Sequence, residues 1–132
     1  MTHFRYTLVL LLLTLMVGSV KAQNRLDKLI GSYSTVGTST YTSAVERNPR
    51  TRAVERVVKV LDTRSPNVAK TLLHAFRAEA KTHGLDSDLC KAKVRTQIFT
   101  QKGKEKTRLY MIEYPEGHAA SWVRLTIIVK LN

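Results

Sequence analysis

The chain has 132 residues, of which 22 are Lys or Arg and 10 are Asp or Glu, giving a formal net charge of +12. A hydrophobic content of 43% excludes global disorder, and the length suits one domain rather than two. A single cysteine excludes a disulfide-stapled miniprotein and a cysteine-built zinc cluster.

Residues 1–22 predict a secretory signal peptide. Arg5 makes a positive start, residues 8–17 form an apolar stretch broken only by Thr14, and Val20 and Ala22 stand as small residues before a cut at Gln23. The stretch is shorter than the roughly 20 residues that a spanning helix needs. Cleavage removes two cations, Arg5 and Lys21, and leaves residues 23–132 as a single domain with a charge of +10. No cysteine follows the cut, so no lipid anchor is expected there. Arg124 and Lys130 interrupt the last apolar run, so no later segment is expected to span a bilayer. The expected location is the periplasm or the cell exterior, where Cys90 is a lone thiol, either buried or able to pair between chains.

In chain order, Leu26, Leu29, Ile30 and Tyr33 lie on one face of a short helix over residues 24–34, with Asn24 placed to cap it. Two alternating β-branched runs, residues 39–47 and 52–62, flank the Asn48-Pro49-Arg50-Thr51 turn and predict an antiparallel hairpin. Ser65 as N-cap, Pro66 at the first helical position and Gly84 beyond the end bracket a long amphipathic helix with Phe76 as its deepest anchor. Residues 85–92 are polar and give no periodic signal. Three strand-like runs follow, at residues 93–101, 107–114 and 121–131. The last alternates most clearly, with Val123, Leu125, Ile127, Val129 and Leu131 on the inward side. The order α-β-β-α-β-β-β predicts an α+β two-layer sandwich: a mostly antiparallel sheet of about five strands with two helices on one face.

Three segments together carry a resemblance: Val20-Lys21-Ala22-Gln23 running into Asn24-Arg25-Leu26-Asp27-Lys28-Leu29, then Ser43-Ala44-Val45-Glu46-Arg47, then the closing Leu125-Thr126-Ile127-Ile128-Val129-Lys130. The layout resembles the small uncharacterised secreted domain-of-unknown-function families of Bacteroides-type bacteria. The resemblance covers nearly the whole exported chain. It implies a compartment and a fold type, with no activity and no functional residues to carry over.

The densest group of reactive side chains is His83, Asp86, Asp88 and Cys90. Its ligand count falls short of a calcium loop or a zinc site, and neither His83 nor His118 comes with a third group to orient it as a base for Cys90. No phosphate loop, serine-nucleophile elbow or His-Glu-x-x-His motif occurs. The expectation is therefore a protein without catalysis, metal or cofactor; a thiol- or metal-dependent hydrolase is the weakest alternative.

Basic charge is the strongest physical signal. It gathers at Arg47, Arg50 and Arg52, extends to Arg56 and Lys59, and recurs at Lys91, Lys93 and Arg95 and at Lys102, Lys104, Lys106 and Arg108. Two of these clusters are hairpin turns, and if both tips share one end of the sheet they make a single positive rim. Such a surface suits anionic lipid, acidic glycan or an acidic protein of the cell envelope; nucleic acid is not the expected partner. Trp122 and Arg124 add a second candidate surface on the outward side of the last strand, with Ile128, and with Arg108, Tyr110 and Tyr114 from the strand before. Trp122 and Arg124 are included with the basic binding residues, and the alternative function is a self-associating interaction module using the Trp122 sheet face. The competing expectation buries Trp122 and turns Tyr110 inward.

Overall fold

The computed structural model describes residues 25–35, 37–117 and 121–132. The signal-peptide reading of residues 1–22, the Asn24 cap and His118 lie outside the described residues. The elements are α1 (Arg25–Tyr33), β1 (Ser39–Arg47), β2 (Val54–Thr63), α2 (Pro66–His83), β3 (Ser87–Lys91), β4 (Val94–Lys102), β5 (Lys106–Pro115) and β6 (Val123–Leu131). The α+β class stands, but the sheet has six strands where about five were expected. The added strand is β3, within the segment that had no periodic signal. Four of its five residues, Leu89 among them, are exposed at a short sheet edge, so burial imposed no alternation on its sequence.

The strand order is β1-β2-β6-β5-β4-β3, and every neighbouring pair is antiparallel. Register decides which side chains share a face. Leu61 lies opposite Leu125, Leu125 opposite Ile112, Ile127 opposite Tyr110, and Tyr110 opposite Phe99. These residues, with Val123, form the buried face of the sheet. The helices cover it: Leu26 and Ile30 from α1, and Val68, Ala69, Leu72, Leu73, Ala75, Phe76 and Ala80 from α2.

The spacing of α2 puts Leu72, Phe76 and Ala80 on its inward stripe. Phe76 is fully buried, with its ring 5.0 Å from that of Phe99, which in turn stacks 4.8 Å from Tyr110. Ser65 holds the N-cap position through its backbone carbonyl, which accepts from Ala69 N at 2.9 Å. Its side chain makes no capping bond, contrary to the sequence expectation. Gly84 ends the helix at φ 80°, and its N–H donates to Ala80 O at 2.7 Å.

The opposite face of the sheet carries an apolar stripe two rows deep. One row runs Val60, Thr126, Met111, Ile98; the other runs Val58, Ile128, Leu109. Thr126 is buried there between its neighbours and the rest are half-buried, since no described element lies over them. No helix among the described residues is long and apolar enough to cross a membrane.

Phe76→Ala removes the ring that joins α2 to β4 and β5. It is expected to cost about 3–5 kcal/mol of unfolding free energy, measured by denaturant titration.

Candidate functional site: a basic rim

Antiparallel pairing brings both basic turns to one end of the sheet. Glu46 pairs with Arg56, Arg56 with Lys130, Lys130 with Thr107, and Thr107 with Lys102. This row crosses five strands, about 20 Å at the usual strand spacing. The β1–β2 turn extends beyond one end of the row and the β4–β5 turn beyond the other. Arg47, Arg50, Arg52, Arg56, Lys102, Lys104, Lys106 and Lys130 are all exposed along this rim. Arg56 and Lys130, partners on adjacent strands, stand about 5 Å apart at the backbone, within a Debye length of about 8–10 Å, so their fields add.

Both turns are fixed by local hydrogen bonds, one of them from a rim cation, Arg47 Nη1 donating to Arg52 O at 3.1 Å. In the first, the Asn48 side-chain carbonyl accepts from Arg50 N at 2.8 Å and Thr51 N at 3.2 Å. The Asn48 amide donates to Glu55 at 2.8 Å, and Asn48 N donates to Ala53 O at 2.9 Å. Arg52 takes the left-handed conformation, φ 60°, and its N–H donates to Asn48 O at 2.8 Å. In the second turn Gly103 N donates to Lys106 O at 2.8 Å, and a Cβ at Gly103 would stand 2.9 Å from that same oxygen. Asn132 clasps this turn: its N–H donates to Glu105 O at 2.9 Å and its side-chain amide to Gly103 O at 3.1 Å.

Beside the rim, on the helix-covered face, an open cleft of about 450 Å³ is lined by Asp27, Lys28, Val57, Lys59, Lys106, Arg108 and Val129. Arg108 donates to Asp27 Oδ2 at 3.1 Å. Burial raises the Asp27 carboxyl above its ordinary value, while Arg108 and Lys59 pull it down. Arg108 therefore ties α1 to β5 and contributes to the cleft wall.

Among the predicted binding residues, the structure gathers Arg47, Arg50, Arg52, Lys102, Lys104 and Lys106 on the rim, with Arg108 adjoining. It does not bring Trp122 or Arg124 to them. Arg124 lies at the opposite end of β6, about 20 Å from Lys130 along the strand, and Trp122 just precedes β6, about 27 Å away. Arg124 donates to Asp62 at 2.7 Å, and Trp122 is half-buried. Tyr110 and Tyr114 do not join them either, because both are buried on the helix side. Lys130 was missed by sequence reasoning, since only the register of β6 against β2 and β5 shows that it completes the rim.

The group around Cys90 forms a charge network instead of an activated thiol. Arg95 grips Asp88 in bidentate fashion, at 2.9 and 3.0 Å, and Glu116 at 2.6 Å. The exposed Cys90 thiol donates to the other Glu116 oxygen. That hydrogen bond raises the thiol pKa and lowers that of Glu116, opposite to what a nucleophile needs. His83 is occupied elsewhere: its ring stacks on Phe99 at 5.6 Å and its Nε2 lies 3.7 Å from Glu79. Among the described residues, no group of three His, Cys, Asp or Glu side chains gathers where it could hold a metal ion.

The chain matches no family model, curated protein or solved structure.

Glu116→Gln removes the negative charge that holds Cys90 protonated. Alkylation of Cys90 by iodoacetamide at about pH 8 is expected to be slower in the parent protein than in the variant, by mass spectrometry.

Proposed function

We propose that the protein is an exported, non-catalytic binding domain whose basic rim holds an anionic partner of the cell envelope: anionic lipid, acidic glycan or an acidic protein. One observation carries this reading. Two turns far apart in the sequence project their cations from the same end of one sheet. The acidic side chains on that end, Glu46, Glu55 and Glu105, are fewer than the cations they meet, and Glu46 and Glu55 are already engaged with Arg56 and Asn48. The opposite end is more nearly balanced: Asp62 pairs with Arg124, and Asp88 and Glu116 with Arg95, against the exposed Lys91, Lys93 and Arg64. The positive field therefore has a direction, which a uniformly solvated basic surface lacks. The resemblance to secreted families and the leader-like residues 1–22 fit the same location.

The test is binding to vesicles containing phosphatidylglycerol and to heparin, followed across salt. Affinity is expected to fall about tenfold or more between low and physiological salt, as when many cations release counterions. Arg50→Glu/Arg52→Glu/Lys104→Glu is expected to abolish it, while Trp122→Ala and Arg124→Ala change it little. Salt-insensitive binding, or equal loss from substitutions at either end, would remove the reading.

A second reading, self-association through the sheet face away from the helices, has the Val58, Val60, Leu109, Met111 and Ile128 stripe behind it. It expects Ile128→Lys to abolish concentration-dependent association in sedimentation.

A further inference from the structure

We infer that β1 is a pairing edge for a second copy of this chain, joining two sheets through antiparallel β1–β1 contact across a two-fold axis perpendicular to the sheet. This inference is independent of the basic-rim reading.

The two edges of the sheet differ in a way that needs a reason. The β3 edge is short, five residues, and carries Asp88, Lys91 and the Arg95 network. Charge and brevity are the ordinary defences of an edge against unwanted pairing. The β1 edge is nine residues long, and from Ser39 to Val45 it has no charge, no proline and no register irregularity. Its one irregularity falls at Glu46/Arg47. Among the described residues, no other strand pairs with its outer backbone groups.

The side chains of β1 are complementary to their own copy. A two-fold axis through Ser43 sets Tyr41 opposite Val45, Val45 opposite Tyr41, Thr42 opposite Ala44 and Thr40 opposite Glu46. Tyr41 is 37% exposed and Val45 50% exposed, and both are among the large apolar residues left in solvent. They lie on the helix side of the sheet, opposite Leu61 and Val57 in β2. Aromatic and β-branched residues facing each other across two strands stabilise antiparallel pairing. Sliding the copies by two residues either way sets Tyr41 against Ser43 or against Arg47, so one register satisfies both apolar residues at once.

Charge selects the same arrangement. Parallel pairing would place the two Arg47–Arg52 turns side by side. The antiparallel two-fold sends them to opposite ends of the joint, about 27 Å apart over eight residues of strand and beyond a Debye length. A strongly basic chain can therefore pair along this edge without concentrating its charge, and the dimer presents one basic rim at each end.

The test uses sedimentation velocity of the purified protein over a broad concentration range, with variants. The wild type is expected to approach twice the monomer mass as concentration rises. Tyr41→Lys/Val45→Lys is expected to stay monomeric with an unchanged melting temperature, and Ile128→Lys to dimerise as the wild type does. In a Cys90→Ser background, Ser43→Cys is expected to form a covalent dimer on mild oxidation, since it faces itself, and Thr42→Cys is not. A wild type that stays monomeric throughout, association surviving Tyr41→Lys/Val45→Lys, or no cross-link at position 43 would each overturn the inference.

Discussion

The antiparallel ladder linking β2, β6 and β5 is the constraint on which the rest depends. Side chains alternate along a strand, so shifting any of these three by one residue would turn Leu61, Leu125 or Ile112 out to solvent and bring charged neighbours into the core. The same ladder decides where the strands end. It aligns the end of β1, the start of β2, the end of β6, the start of β5 and the end of β4, and both basic turns follow from that alignment. Core and candidate site are thus two results of one hydrogen-bonding pattern.

The helices add a second layer of specification. Phe76, Phe99 and Tyr110 form a continuous aromatic contact from α2 through β4 to β5, and His83 caps it from the last helical turn. The short α1 reaches the sheet with Leu26 and Ile30 and is pinned by the Asp27–Arg108 pair beside the cleft. Charge is handled differently at the two ends. Near the start of β6, Arg124 holds Asp62 and Arg95 holds both Asp88 and Glu116, beside the exposed Arg64, Lys91 and Lys93; near its end, more cations stand in solvent with less local compensation.

Much of the fold could be read from the chain. Asn48-Pro49 announced the first hairpin, Ser65-Pro66 and Gly84 bracketed α2, and the alternation of β6 is visible because Val123, Leu125 and Ile127 on one face are buried, although Val129 is only half-buried there and Leu131, expected inward, is 38% exposed. The β3 strand was illegible because an exposed edge places no demand on its side chains. Strand order was illegible because it depends on contacts distant in sequence, and with it went the location of Lys130. The grouping of Trp122 and Arg124 with the rim failed for a related reason. Alternation says which side of a strand a residue occupies but not which end of the sheet that strand brings it to. Tyr110 turns inward, as one of the two expectations for it had it, and Tyr114 follows; the choice was open because β5 is apolar on both sides, so its sequence alone does not tell the covered face from the open one.

Gly103 illustrates how the molecule separates shape from recognition. A Cβ there would stand 2.9 Å from the carbonyl oxygen of Lys106, so any other residue forces the turn backbone to shift. The side chains of Lys102, Lys104 and Lys106 around it are exposed, while the turn is closed by the Lys106 carbonyl and the Asn132 clasp. Selection can therefore exchange, delete or multiply those ammonium groups generation after generation, retuning what the domain grips while its folding stays as it was.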